Sequence, residues 1–311
     1  MNAAEVLDQV FDVYKRSFFK QLAVSIIFSI IFFIVLYILL IIGLIAGFFV
    51  IFATIAETTA GLSVGAVIAI ALFILLFMLG ITIYQALIST GNALVTKQTF
   101  LGEHCDVGKV IKSAFKKIWV STSAALANLI LLVPVVIAIA AFTVVYITMI
   151  IAIDELGGLG VTAIVIMSIL LVLLIFAFLI VYSTITMMSM SVAIFEGKWF
   201  FSAFKRGFAL IKPDFMKLMG IVTVWFVIIM VLSYSFEIFF GIGTALGMYF
   251  LPQEVAAIMY MSTIWLSYLI SIGISVLIAP LSGIFYTIAY INQRIKHEGL
   301  DIELNLNALR R

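Results

Sequence analysis

The chain has 311 residues, 66% of them hydrophobic and 10% charged, against about 45–50% and about 25% in an ordinary soluble domain. With a mean hydropathy of +1.34, this composition excludes a water-soluble fold, because no core of this size could hide so much apolar surface. The net charge of +2 by itself says little about partners, no nucleic-acid partner is expected, and the one cysteine, Cys105, excludes an internal disulfide.

The chain opens on an amphipathic segment in which Leu7, Val10, Phe11, Tyr14 and Phe18 oppose Glu5, Asp8, Asp12, Lys15 and Arg16. Acids ahead of Lys15, and no small-residue cleavage site after a short apolar core, argue against a removed signal peptide. Charge-free runs then give span one between Lys20 and Glu57 and span two between Glu57 and Lys97. A second amphipathic segment follows, with Val107, Val110, Ile111, Ala114, Phe115, Ile118 and Trp119 opposite Lys109, Lys112, Ser113, Lys116 and Lys117. Spans three and four lie between Lys117 and Asp154 and between Glu155 and Glu196. In the third amphipathic segment Phe200, Ala203, Phe204, Phe208, Ile211 and Phe215 oppose Lys198, Ser202, Lys205, Arg206, Lys212 and Lys217. Span five runs from Lys217 to Glu237, span six from Glu254 to Arg294, and 294–311 form a tail. Each run reaches the roughly 20 residues that cross a bilayer core. Several are much longer, so those helices should tilt or project beyond the hydrocarbon.

All 17 Lys and Arg fall in the N-terminal segment, the two Lys-rich segments and the tail. The three other connections hold only Glu57, Asp154, Glu155 and Glu254. Positive charge marks the cytoplasmic face, so both termini are expected in the cytoplasm of a multi-pass protein of a cell membrane, with a prokaryotic source expected.

Gly108-Lys109-Val110-Ile111-Lys112-Ser113-Ala114-Phe115-Lys116-Lys117 aligns with Gly197-Lys198-Trp199-Phe200-Phe201-Ser202-Ala203-Phe204-Lys205-Arg206. Phe11, Lys15, Phe18 and Lys20 align more loosely with Phe208, Lys212, Phe215 and Lys217. The expected fold is therefore all-α and integral to the membrane: six transmembrane helices in three repeated units, each an amphipathic interfacial helix plus a two-span hairpin. The units are approximately 1–97, 98–196 and 197–293. Two spans per unit keep all units in one orientation, related by an axis along the membrane normal.

Two stretches resemble a known family. Glu196-Gly197-Lys198 followed by Ser202 to Phe215 is similar to a segment of the glycerophosphoryl diester phosphodiesterase membrane-domain family. Tyr290 to Leu304 is similar to that family's closing segment, with departures at Asn292, Gln293 and His297. The resemblance implies the membrane module alone. The soluble catalytic barrel that accompanies it in the proteins that name the family has no counterpart here, since no hydrophilic segment exceeds about 25 residues.

Candidate chemistry is sparse. Gly61-Leu62-Ser63-Val64-Gly65 matches a nucleophile-elbow spacing, but it lies across the membrane from His104 and His297. Glu103-His104-Cys105-Asp106 are contiguous and cannot all converge on one ion, and Met187, Met188 and Met190 read as packing residues. No metal, cofactor or catalytic set is expected. A basic face beside an aromatic face is the pattern of an interfacial helix. The candidate headgroup residues are Lys109, Lys112, Lys116, Lys117, Lys198, Lys205, Arg206, Lys212 and Lys217, with Phe115, Trp119, Trp199 and Phe204 setting depth. Glu237, about 30 Å along its helix from Lys217, and Gln85, Asn92 and Asn128 are the cavity candidates. These, with Tyr182, Tyr234, Ser235, Tyr286 and Asn292, could equally form interhelical hydrogen bonds. Gly43/Gly47 and Gly243/Gly247 predict close helix contact, and Pro134 and Pro280 predict bends. Two functions remain open: a non-enzymatic protein that binds lipid or a small amphiphile or scaffolds a membrane partner, its lipids anionic and cytoplasmic, or a transporter or channel along the repeat axis.

Overall fold

A computed structural model describes residues 3–56, 64–151, 153–250 and 252–299. Glu57, most of the Gly61–Gly65 motif and the tail from Leu300 onward lie outside the described residues. Along the chain come α1 (Ala3–Ala56), α2 (Val64–Phe100), α3 (Val107–Lys116), α4 (Ile118–Ile151), α5 (Ile153–Glu196), α6 (Phe200–Ile211), a 3-10 turn (Lys212–Asp214), α7 (Phe215–Phe250) and α8 (Gln253–Glu298). Runs rich in Ile, Val and Phe are poor helix formers in water. In lipid the backbone must satisfy its own hydrogen bonds, which forces them into helices. The six long helices are apolar enough to cross a membrane, so the chain is an all-α, multi-pass membrane protein.

Three sequence expectations change. The N-terminal amphipathic segment is not a separate helix, because no Gly or Pro interrupts the chain between Ala3 and Ile42 and α1 runs unbroken into its span. Its inward stripe is Val6, Val10, Val13, Ser17 and Gln21, while Phe11 is exposed. Small residues face the partner helices because close backbone approach, rather than apolarity, drives association in lipid. Second, residues 154 and 155 fall in the first turn of α5 and residue 254 in that of α8, so the chain is already helical at these positions. Third, of the small-residue pairs Gly43 meets the ring of Phe73, whereas a Cβ on Gly47 or Gly243 would have nothing within 4 Å. Helices α4 and α8 continue through Pro134 and Pro280.

The long helices pack in a cycle. Helix α1 lies on α2, α2 on α4, α4 on α5, α5 on α7, α7 on α8, and α8 returns to α1. Inside the ring α2, α5 and α8 also touch one another. The short α3 wedges against α1, α2 and α4, and α6 lies across α4 and α5 and reaches α8. Buried apolar residues gather at the lysine-rich end, around Val10, Met188, Ile211, Trp225, Phe285 and Ile288, with a second cluster around Val24, Phe28, Val95 and Val110. Toward the other end the helices expose Ile, Leu, Val and Phe all round, from Ile30 to Phe48 on α1 and from Val165 to Leu174 on α5.

Candidate functional site

The lysine-rich end is built by two short helices with opposite capping logic. Asp106 caps α3: its Oδ1 accepts from the backbone N–H of Gly108 at 2.9 Å and of Lys109 at 3.5 Å. Cys105 is buried beside it, and burial pushes its thiol above the usual range, with Asp106 adding to the rise against Lys20. Glu103 to Asp106 thus serve as an entry to α3. Val110 and Ala114 anchor the helix, leaving Lys109, Lys112 and Lys116 exposed. Trp119 is 68% exposed, and Phe115 meets Phe28 edge-on at 5.8 Å.

Lys117 departs from this set. Its Nζ donates to the carbonyl of Ile194 at 2.5 Å, filling one of the unpaired carbonyls at the end of α5. Burial, helped by nearby Lys97, holds its ammonium below the usual lysine range.

Helix α6 buries Ala203, Gly207, Leu210 and Ile211. A Cβ on Gly207 would stand 2.8 Å from the backbone nitrogen of Ser189, so α6 rests on the bare main chain of α5. Lys205 and Lys212 face outward with Trp199, Phe201 and Phe208, and Lys217 is exposed at the start of α7. Among the described residues Lys109, Lys112, Lys116, Lys205, Lys212 and Lys217 make no ion pair.

Arg206 and Lys198 are engaged elsewhere. Arg206 Nε donates to both oxygens of Glu196 at 3.3 and 3.1 Å, and its guanidinium also meets Glu298. Lys198 lies 3.4 Å from Glu196, and the Tyr290 hydroxyl donates to Glu196 at 3.0 Å. Arg294 closes the cluster, donating to Glu298 at 2.9 Å and lying over the Tyr290 ring. The two stretches that carry the family resemblance therefore meet here. Glu196, Tyr290, Arg294 and Glu298 were not singled out as site residues from the sequence. Their presence in those two stretches was the available signal.

The cavity candidates separate. Gln85 and Asn128 line one cavity of about 300 Å³ where α2, α4, α5 and α8 meet, with Ser89, Tyr182, Thr186 and Tyr286. Asn128 is held there by Ser189, which donates to its Oδ1 at 2.8 Å, and by Tyr182, which donates to its carbonyl at 2.9 Å. Asn92 lies outside that cavity, fully buried against Gly283; Ser25 donates to its Oδ1 at 3.5 Å, and its Nδ2 has no partner. Glu237 is remote from both, in a cleft of about 620 Å³ between the far halves of α7 and α8, where Ser271 donates to it at 3.2 Å and Tyr260, Thr263 and Tyr268 line the walls. Tyr234 and Ser235 are exposed, and Ser235 bonds only within its own helix.

Compared with family models, curated proteins and solved structures, the chain matches none.

Proposed function

We propose that this is a non-enzymatic membrane protein whose cytoplasmic face holds anionic lipid headgroups in a basic collar. The observation that carries the reading is the set of exposed lysines without an acidic partner, Lys109, Lys112, Lys116, Lys205, Lys212 and Lys217, beside the exposed rings of Trp119, Trp199 and Phe208. Each such cation contributes about 1 kcal/mol near an anionic leaflet, and the rings seat the helices at the depth of the headgroups. Lys198, Arg206 and Lys117 hold the collar's frame instead of facing lipid. The one-sided Lys and Arg distribution supports a cytoplasmic collar. The shared Gly-Lys phrase and the cyclic order of helix contacts support three repeated hairpins.

The test is reconstitution in mixed vesicles and mass-spectrometric counting of retained lipid. Wild type is expected to enrich phosphatidylglycerol over phosphatidylcholine, less so as salt rises, since the attraction decays over about 8 Å at physiological ionic strength. Changing Lys109, Lys112, Lys116 and Lys205 together to Gln should remove most of the enrichment; an unaltered lipid count in that variant would reduce the collar to a plain anchor.

The cavity among α2, α4, α5 and α8 favours a second reading, passage of a solute or lipid along the ring axis. That reading requires Gln85→Leu and Asn128→Leu to remove a flux measured in vesicles while lipid retention stays unchanged.

A further inference from the structure

In the cyclic packing α2, α5 and α8 each lie between two other long helices: α1 and α4, α4 and α7, and α7 and α1. Helix α3 occupies the place between α1 and α4, over α2. Helix α6 lies over α5 and on α4, and the 3-10 turn joins it to α7. The remaining place, between α7 and α1 over α8, has no short helix of its own, because α1 runs straight from its amphipathic start into its span. A cavity of about 360 Å³ is found there.

Its lining is divided. Val6, Leu218, Ile221 and Ala289 make an apolar floor, and Lys217, Lys296, Asp214, Gln9, Asn292 and Gln293 supply the polar part. Lys217 has no ion-pair partner among the described residues, whereas Lys296 shares the single carboxylate of Asp214 with His297, whose Nε2 lies 2.9 Å from it. Two lysines against one shared carboxylate leave the rim positive. The amides are under-used as well. The contact from Asn292 to Gln9 is a long 3.5 Å, and Gln293 Oε1 is buried without a partner. A buried polar atom left unbonded is costly, so a ligand that bonds it gains that energy back. A cavity of this size suits a small polar group with a few fixed contacts.

We infer that this cavity binds one phosphate ester carrying a hydroxyl-bearing substituent, the headgroup of a phospholipid such as phosphatidylglycerol. The phosphate sits at Lys217 and Lys296, and the hydroxyls bond Gln9, Asn292 and Gln293. The acyl chains leave between α1 and α7, over the apolar floor. The site rests on the collar reading for the charge of the lipid and the leaflet, but it is a single stoichiometric position, distinct from the α3 and α6 lysines.

Delipidated protein in detergent, titrated with phosphatidylglycerol and followed by native mass spectrometry, tests it. Wild type should take up one lipid about tenfold or more tighter than the next, the size of effect that charge-assisted hydrogen bonds give. Lys217→Gln with Lys296→Gln should erase that first step, Lys217→Arg should keep it, and Gln293→Leu, which leaves the Asp214 pair intact, should weaken it. The collar variant with Gln at 109, 112, 116 and 205 should keep the first lipid and lose the later ones. A first lipid retained by the double variant overturns the cavity assignment and leaves the collar standing. No preference for phosphatidylglycerol over phosphatidylcholine in any of these proteins overturns both. Displacement of the first lipid by equimolar glycerol 3-phosphate overturns the lipid as the source of the phosphate.

Discussion

At the lysine-rich end the long helices bury Ser17, Gln21, Ser25, Thr90, Asn92, Thr96, Ser121, Asn128, Thr184, Ser189, Ser191 and Thr287. At the other end the same helices turn Ile, Leu, Val and Phe outward on every side. The half that packs is the one that carries the small and polar residues. In water the more apolar half would be the core; in lipid an apolar side chain gains little by leaving the solvent, so helices meet where small and polar residues allow close approach and hydrogen bonds. Thr90 donating to Ser121 at 2.7 Å, Gln21 to Thr96 at 3.0 Å and Ser29 with Tyr84 at 2.9 Å are such seams.

The contrast can be broken most sharply with glycine. Gly207→Leu would drive a side chain into the α5 backbone, and overpacking of this kind should cost about 3 kcal/mol, lowering the melting temperature in detergent and freeing α6 to proteolysis. The matching change in the open half, Gly243→Leu, has no atom within 4 Å to meet and should leave the melting curve unmoved. Next comes the charged clasp. Glu196 is 14% exposed and Arg206 27%, so Glu196→Gln should cost about 2 kcal/mol, less than a fully buried pair and more than a surface one. A double-mutant cycle with Arg206→Gln should recover much of that as coupling; additive losses would show that the two residues act separately. The smallest effect belongs to the intramembrane seams. Thr90→Val should cost about 0.6 kcal/mol, the usual worth of an interhelical hydrogen bond in lipid, visible as a small shift in denaturant-induced unfolding.

The six spans and the short helices α3 and α6 were legible because they depend on local sequence: unbroken apolar runs between charges, and lysines at helical spacing. The entry of α1 was misread because amphipathicity over Leu7 to Phe18 says nothing about whether the helix continues past Lys20. Continuity depended on the absence of a breaker before Gly43. The inward stripes were harder to read: Phe11 and Phe208 face outward, as an interfacial helix requires, but the residues that face in, Val13 and Gly207, carry no such signal. The Glu196 cluster and the cavity over α8 join residues on distant helices, and no spacing rule reaches that far. Of the cavity candidates, only the fold shows that Gln85 and Asn128 share a space and that Asn92 and Glu237 lie outside it.

The return of α8 to α1 also sets an order of assembly. Tyr14 donates to the carbonyl of Leu277 at 3.0 Å across 263 positions of sequence, and Arg206 reaches Glu298 across 92. A chain made from its N-terminus forward presents α1 long before α8 exists to cover it. Until then Gln9 and Tyr14 have no α8 partner, Arg206 is held by Glu196 alone, and the ring stands open on one side. Closure of the ring therefore waits for α8, and a lipid entering between α7 and α1 would do so only once that helix has arrived.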